Sequence, residues 1–351
     1  MPTIPVSRRI AFLALVTTIG SLARADEVVL ISGSTVKGAV GGRVRGQIQA
    51  ESASEISVKL GQNTISVPTD QITAVRYDGQ PASMTLAETR EAGGQLSEAA
   101  DLYKKALGEA AAKPLIAQAA RFKQADVVAD IALADPSRSA EAVALLDGFV
   151  RAFPNARQTG AALEALARLQ LQKGDYAAVE KIVADLGKLP RGGDRAAVLS
   201  ARAAARRGDY DAALTRLETL IKSAPAGSPL KREAQLARAE SLAGVKKFKE
   251  AESELRAVIQ GLPAEDAVGQ SVAYNTLGDC LRAAGRPKDA LFAYLHTDVL
   301  YNKDKEQHPR ALAQIAQLWR ELKRDDRADE VIQRLKQEYP KSSWATGASK
   351  P

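Results

Sequence analysis

The chain has 351 residues, 45% of them hydrophobic and 26% charged, which is globular composition and excludes a disordered or collagen-like chain. One cysteine excludes an intramolecular disulfide, and two histidines beside one thiol make a His/Cys metal centre unexpected, so no metal and no cofactor is assigned. The formal net charge of +7 includes Arg8, Arg9 and Arg24 of an acid-free first segment, so a chain starting at Asp26 carries 7 − 3 = +4, without the charge runs of a nucleic-acid binder.

The first element reads as an address. Arg8 and Arg9 precede an apolar stretch from Ile10 to Leu22, and Ala23-Arg24-Ala25 is a small-x-small cleavage pattern. The stretch is interrupted by threonines and a glycine and falls short of the ~20 helical residues that cross a bilayer. Residues 1–25 are expected to be a secretory signal removed before Asp26; an N-terminal anchor shares the charge pattern and is the alternative. No cysteine follows for lipid attachment. The expected location is the periplasm or cell envelope, which argues against a nucleic-acid partner.

From 26 to 80 the chain reads as a small β module. Val28-Val29-Leu30-Ile31 ends in the turn cluster Ser32-Gly33-Ser34. Ile56, Val58 and Leu60 alternate with Ser57 and Lys59, and Ile65 and Val67 flank Ser66, the period of half-buried strands. Five or six short strands in about fifty residues predict a small, strongly bent sheet or barrel. The hydrophobic and glycine spacing resembles the Sm-like β modules found near the N-termini of some exported bacterial repeat proteins. Gly38 to Gly46 has no Gly-Lys-Ser/Thr ending and no following helix, so it is not a phosphate loop.

Beyond Ala82 the period becomes helical and the sequence repeats itself. Lys173-Gly174-Asp175-Tyr176-Ala177-Ala178-Val179 matches Arg207-Gly208-Asp209-Tyr210-Asp211-Ala212-Ala213, and the stretches ending at Ala99, Ala251, Ala290 and Ala328 fit the same frame. With Ala142, the marker positions Ala99, Ala142, Val179, Ala213, Ala251, Ala290 and Ala328 are spaced by 43, 37, 34, 38, 39 and 38 residues. This resembles the tetratricopeptide repeat, whose unit is about 34 residues. Small residues at Ala87, Ala167, Ala201, Ala239, Gly278 and Ala316 occupy the first-helix position where two helices approach. Repeat-ending prolines stand at Pro154, Pro190, Pro225, Pro263 and Pro340, where a helix cannot continue. Tyr103, Phe149, Leu217, Leu255 and Tyr294 are assigned to the seams. The stretch 114–140 departs from the pattern, with a long first helix and the turn Ala134-Asp135-Pro136-Ser137-Arg138.

The resemblance implies a mainly α fold, a right-handed α-α superhelix of about seven helix pairs over 83–341, followed by a tail at 342–351. It implies a concave groove lined by the first helix of each pair. Family geometry places Glu164, Arg168, Arg195, Arg202, Glu240, Asn275, Asp279, Arg282, Gln317 and Arg320 on that groove. Such an arginine-leaning surface suits a peptide bearing carboxylates, which arginine grips bidentately. The lysine and asparagine set of the carboxylate-clamp relatives is absent.

Candidate chemistry is thin. His296 and His308 lack a cysteine–acid constellation at catalytic spacing. Cys280 reads as a small buried hydrophobe, Asp279 and Arg282 as an intrahelical ion pair, Trp319 as core, and Trp344 as a cover for the last repeat. The expected function is therefore that of an exported, non-enzymatic scaffold whose groove binds another protein or peptide. The alternative is an envelope adaptor whose β module binds cell-wall polymer; an enzyme with an unrecognised site is the remote third. Tyr339-Pro340-x-Ser also resembles the ending of envelope repeat proteins that assist cell division or outer-membrane assembly.

Overall fold

A computed structural model describes residues 25–347. The expected signal segment, apart from Ala25, lies outside the described residues. Five strands open the chain: β1 (Asp26–Leu30), β2 (Arg43–Glu51), β3 (Glu55–Leu60), β4 (Asn63–Pro68) and β5 (Ile72–Arg76). They form one antiparallel sheet in the order β4-β3-β2-β1-β5. Alternation decides its faces: Val28, Leu30, Val44, Ile48, Ile56, Val58 and Val67 are buried, while Ser57 and Lys59 turn away. The sheet bends sharply along β2, whose pairing with β3 shifts register between Ile48 and Ala50. Gly46 makes the close approach possible, because a Cβ there would stand 2.3 Å from the Lys59 carbonyl oxygen.

Seven antiparallel helix pairs follow: α1 (Ala82–Ala92) with α2 (Leu96–Glu109), α3 (Pro114–Ala134) with α4 (Ser139–Ala152), α5 (Thr159–Lys173) with α6 (Tyr176–Lys188), α7 (Gly192–Arg206) with α8 (Tyr210–Ser223), α9 (Pro229–Gly244) with α10 (Phe248–Gly261), α11 (Ala267–Ala283) with α12 (Pro287–Leu300), and α13 (Gln307–Glu321) with α14 (Asp325–Glu338). All seven marker residues, Ala99, Ala142, Val179, Ala213, Ala251, Ala290 and Ala328, are fully buried. The small first-helix residues are equally enclosed, and the reason is explicit at Gly278, where a Cβ would lie 2.6 Å from the Tyr294 ring. In the second pair Leu146 takes the seam position four residues after the marker. Phe149 sits one turn further on, also buried and tilted against Phe122 and Phe153.

The register recurs in the backbone. At six of the turns inside pairs a residue in left-handed conformation closes the first helix, and the amide after it bonds five residues back: Gln95 to Arg90, Asp175 to Gln170, Asp209 to Ala204, Lys247 to Leu242, Arg286 to Leu281 and Arg324 to Trp319. Glycine fills that left-handed site at Gly94, Gly174, Gly208 and Gly285, and lysine fills it at Lys246 and Lys323. The irregular second pair turns instead through a short 3-10 segment, Pro136–Arg138, capped by Asp135.

Two expectations change. Part of the expected tail folds: α15 (Ser343–Gly347) packs on α13 and α14, and Ala345 is buried with Leu312, Ala313 and Leu335. Trp344 packs against that cluster, covering the end of the last repeat. The β module is also continuous with the array, because one apolar cluster runs from Val28 through Met84 and Tyr103 to Leu199. Polar ties reinforce the junction. Glu51, its side chain fully enclosed, accepts from the Tyr77 hydroxyl and pairs with Arg157 at 3.5 Å; Lys113 Nζ donates to the Gly79 carbonyl at 2.8 Å; and Arg191 pairs with Asp70.

Candidate functional site

Successive first helices pack on one another, α3 with α5, α5 with α7, α7 with α9, α9 with α11 and α11 with α13, more closely than the second helices do. The first helices therefore line the inside of the curve. The curve is tight enough for its ends to meet. Lys305, in the loop before α13, donates to the Gly94 carbonyl in the first turn, and Lys341 stands 3.9 Å from Asp135 after α3. Glu306, beside that loop, shares an electrostatic environment with Arg168 on α5, Arg202 on α7 and Arg310 on α13. Those groups face one another across a common lumen.

The predicted groove residues form a ladder of ion pairs between neighbouring first helices. Arg168 reaches Asp130 on α3 at 3.8 Å; Glu164 reaches Arg195 on α7 at 3.4 Å; Arg195 and Arg202 both engage Glu233 on α9, the latter at 3.4 Å. Asp279 and Arg282 are not paired with each other. Asp279 accepts from the Tyr294 hydroxyl at 2.5 Å and pairs with Arg310, whereas Arg282 donates to Gln314 at 2.5 Å, to the exposed Gln317 at 2.8 Å and to Glu321 at 2.5 Å. Helix α13 thus supplies the partners that the intrahelical assignment gave to α11 alone. Glu240 is exposed. Asn275 is a correction: it is fully buried, and its amide donates to the Gln307 backbone and side chain at 3.0 and 3.1 Å. Arg320 pairs at 3.7 Å with Asp329 on α14, within its own hairpin.

The pairing decides which groove charges are left without a partner. The groove arginines already have carboxylate partners, while Glu88, Asp126, Glu240 and Glu306 have no ion-pair partner. Burial, then the neighbouring Asp130, pushes the Asp126 carboxyl up to about 6. Burial raises Asp130, Glu164 and Glu306 as well, with Asp304 adding to Glu306. A surface with spare carboxylates favours cationic groups. Spacing alone could not reveal this, because all of these partners except Asp329 lie about a full repeat away in sequence.

One network went unseen in the sequence. His308 is buried, with Nε2 2.9 Å from Asp298 Oδ1 and Nδ1 2.7 Å from the Tyr339 hydroxyl; Arg334 also pairs with Asp298. Burial raises the Asp298 carboxyl, but hydrogen bonds from His308 and Arg334 outweigh it and hold that group below its ordinary range. The arrangement has the look of a proton relay, yet it fills the seam between α12, α13 and α14. Two clefts, of about 630 Å³ beside Tyr77 and Pro114 and about 210 Å³ over Tyr274, open elsewhere, and neither is lined by these residues. Cys280 is buried, its thiol pushed up first by burial. Among the described residues, no group of three His, Cys, Asp or Glu side chains is placed to hold a metal, and no helix is long and apolar enough to cross a membrane.

Residues 198–266 and residues 310–342 each match a tetratricopeptide-repeat family description. No curated protein matches the chain. A tetratricopeptide repeat protein from Parabacteroides merdae superposes over 76% of this chain and 98% of its own, with 13% identity and a TM-score of 0.51. The Rap protein complexed with competence and sporulation factor covers 75% and 76%, at 11% identity and 0.51. The quorum sensor NprR from B. thuringiensis covers 72% and 74%, at 13% identity and 0.52. At these identities the likeness is one of fold.

Proposed function

We propose that this tetratricopeptide-repeat protein, a protein-interaction scaffold by its array, is exported to the periplasm or cell envelope and holds a cation-bearing segment of a partner protein in its lumen. The observation that carries the reading is the ladder of paired arginines beside the unpaired carboxylates of Asp126, Glu240 and Glu306. A partner lysine or arginine entering there gains attraction without breaking an existing pair, whereas a partner carboxylate must first displace Glu233 or Asp279. The Rap neighbour was solved complexed with competence and sporulation factor, which supports a partner-holding role for a fold of this kind. Export rests on Arg8-Arg9, the short apolar stretch and Ala23-Arg24-Ala25.

The test is affinity capture from the native envelope with the wild-type chain and with an Asp126→Lys/Glu240→Lys variant, both checked for unchanged helical circular dichroism. Wild type is expected to retain a specific protein that the charge-reversed variant loses at least tenfold. Equal capture by both removes the cationic-segment reading. N-terminal sequencing of the mature protein tests export, with Asp26 as the expected first residue.

A further inference from the structure

The outer face of the sixth pair is unlike the rest of the array. Of the large apolar side chains left exposed among the described residues, Ile31 and Val40 belong to the β module and Leu86 to α1. The other four gather in one repeat: Phe292 (65% exposed), Val299 (67%) and Leu300 (61%) on α12, with Val268 (56%) at the start of α11. Phe292, His296, Val299 and Leu300 are spaced i, i+4, i+7 and i+8, one continuous stripe of the helix. The stripe is stiffened from beneath. His296 stacks on Tyr274 with ring centroids 4.4 Å apart, Tyr301 stacks on the same ring at 5.8 Å, and His296 Nδ1 bonds the Phe292 carbonyl at 2.8 Å. Beside Phe292 opens the cleft of about 210 Å³, floored by Tyr274, Leu277 and Leu281 of α11.

This apolar surface is complementary to itself in charge. The ends of the stripe carry opposite charge. At the N-terminal end of α12, Arg256, Arg286 and Lys288 outnumber Glu252 and Asp289, with Arg256 and Arg286 sharing Glu252 at 2.8 and 2.6 Å. At the other end, beside Val268 and Leu300, Glu265, Asp266 and Asp304 outnumber Lys303, while the neighbouring Lys305 is engaged by the Gly94 carbonyl. Helix α11 runs antiparallel to α12, which brings those acids to that end; the Thr297 hydroxyl bonds the Ser271 carbonyl there at 3.3 Å. An isologous contact needs such a patch, since a two-fold axis sets each feature against its own copy.

We infer that a second copy of this chain docks on the outer face of α12, antiparallel across a two-fold axis near His296. Phe292 of each copy packs on Val299 and Leu300 of the other, and the cationic end of each stripe lies on the anionic end of its mate. The lumen stays free, so a dimer presents two partner-binding grooves and gains avidity for a repetitive or dimeric partner.

Sedimentation equilibrium of the mature chain tests this, over a concentration series reaching about 100 µM because a patch of this size supports modest affinity. The mass average is expected to rise to twice that of one chain. Phe292→Glu and, separately, Leu300→Glu are expected to hold it at one chain with helical circular dichroism unchanged, and Leu86→Glu on α1 is expected to dimerise like wild type. A one-chain mass at every concentration overturns the proposal, even where the monomer binds vesicles or another protein through this face. A doubled mass that survives in both folded glutamate variants overturns it as well.

Discussion

At the scale of single residues, the lumen is where charge and burial conflict. Asp126 sits part-buried with no ion-pair partner, and its carboxyl titrates near 6 in the folded chain against about 3.9 in an unfolded one. A group whose folded pKa is raised adds stability that is complete below the unfolded pKa and is lost as pH climbs through the folded value. The stability of the chain therefore falls between about pH 4 and pH 6 on account of this residue. Asp126→Asn is expected to raise stability at pH 7 by about 1–2 kcal/mol and to flatten that segment of the curve. Urea unfolding of both proteins at pH 4.5 and pH 7 measures it, and an equal loss at both pH values contradicts the assignment. His308 is the opposite case: buried but bonded at both ring nitrogens, it belongs to the packing of the last repeat.

At the scale of the element, the recurring unit is the helix pair with its five-residues-back turn. Glycine meets the left-handed requirement at four of these turns without strain. Lys246 and Lys323 adopt φ of 63° and 58°, a region that costs a residue with a Cβ about 1–2 kcal/mol. Lys246→Gly is expected to recover part of that cost, net of the added backbone entropy of the unfolded chain, for a gain of about 0.5 kcal/mol and a rise of ~1–2 °C in Tm. Calorimetry decides: a fall in Tm shows that the lysine side chain contributes more than its backbone costs. The departures of the second pair also have a local cause. The 21-residue α3 and the Pro136–Arg138 segment replace the glycine turn, and the marker interval there stretches to 43 residues.

At the scale of the whole molecule, the β module and the first three pairs share one core, so they should unfold together. Residues 26–80 expressed alone are expected to lack a cooperative thermal transition, because the apolar cluster that holds Val28, Leu30 and Val44 loses its helical part, Met84 and Tyr103 among it. Hydrogen exchange on the full chain should show equal protection in β3 and α3; an independent, earlier opening of the sheet separates the two bodies.

Sequence alone determined what depends on local spacing. Period-two alternation specified the strands, recurrence of a small residue every 34 to 43 positions specified the pairs, and alanine abundance followed from helices that cross closely at fixed sites. All seven markers could be placed without coordinates because each repeat imposes the same steric demand. Tertiary structure decided everything that depends on partners one or more repeats away. Those include Arg195 and Arg202 spent on Glu233, Asn275 sealed by Gln307, the Lys305–Gly94 contact over 211 positions, and the fusion of the sheet to the array. The physical reason is that a solenoid repeats its backbone but not its charges. Side chains that neutralise one another meet through the curvature of the superhelix, and curvature is a property of the stack rather than of any one repeat.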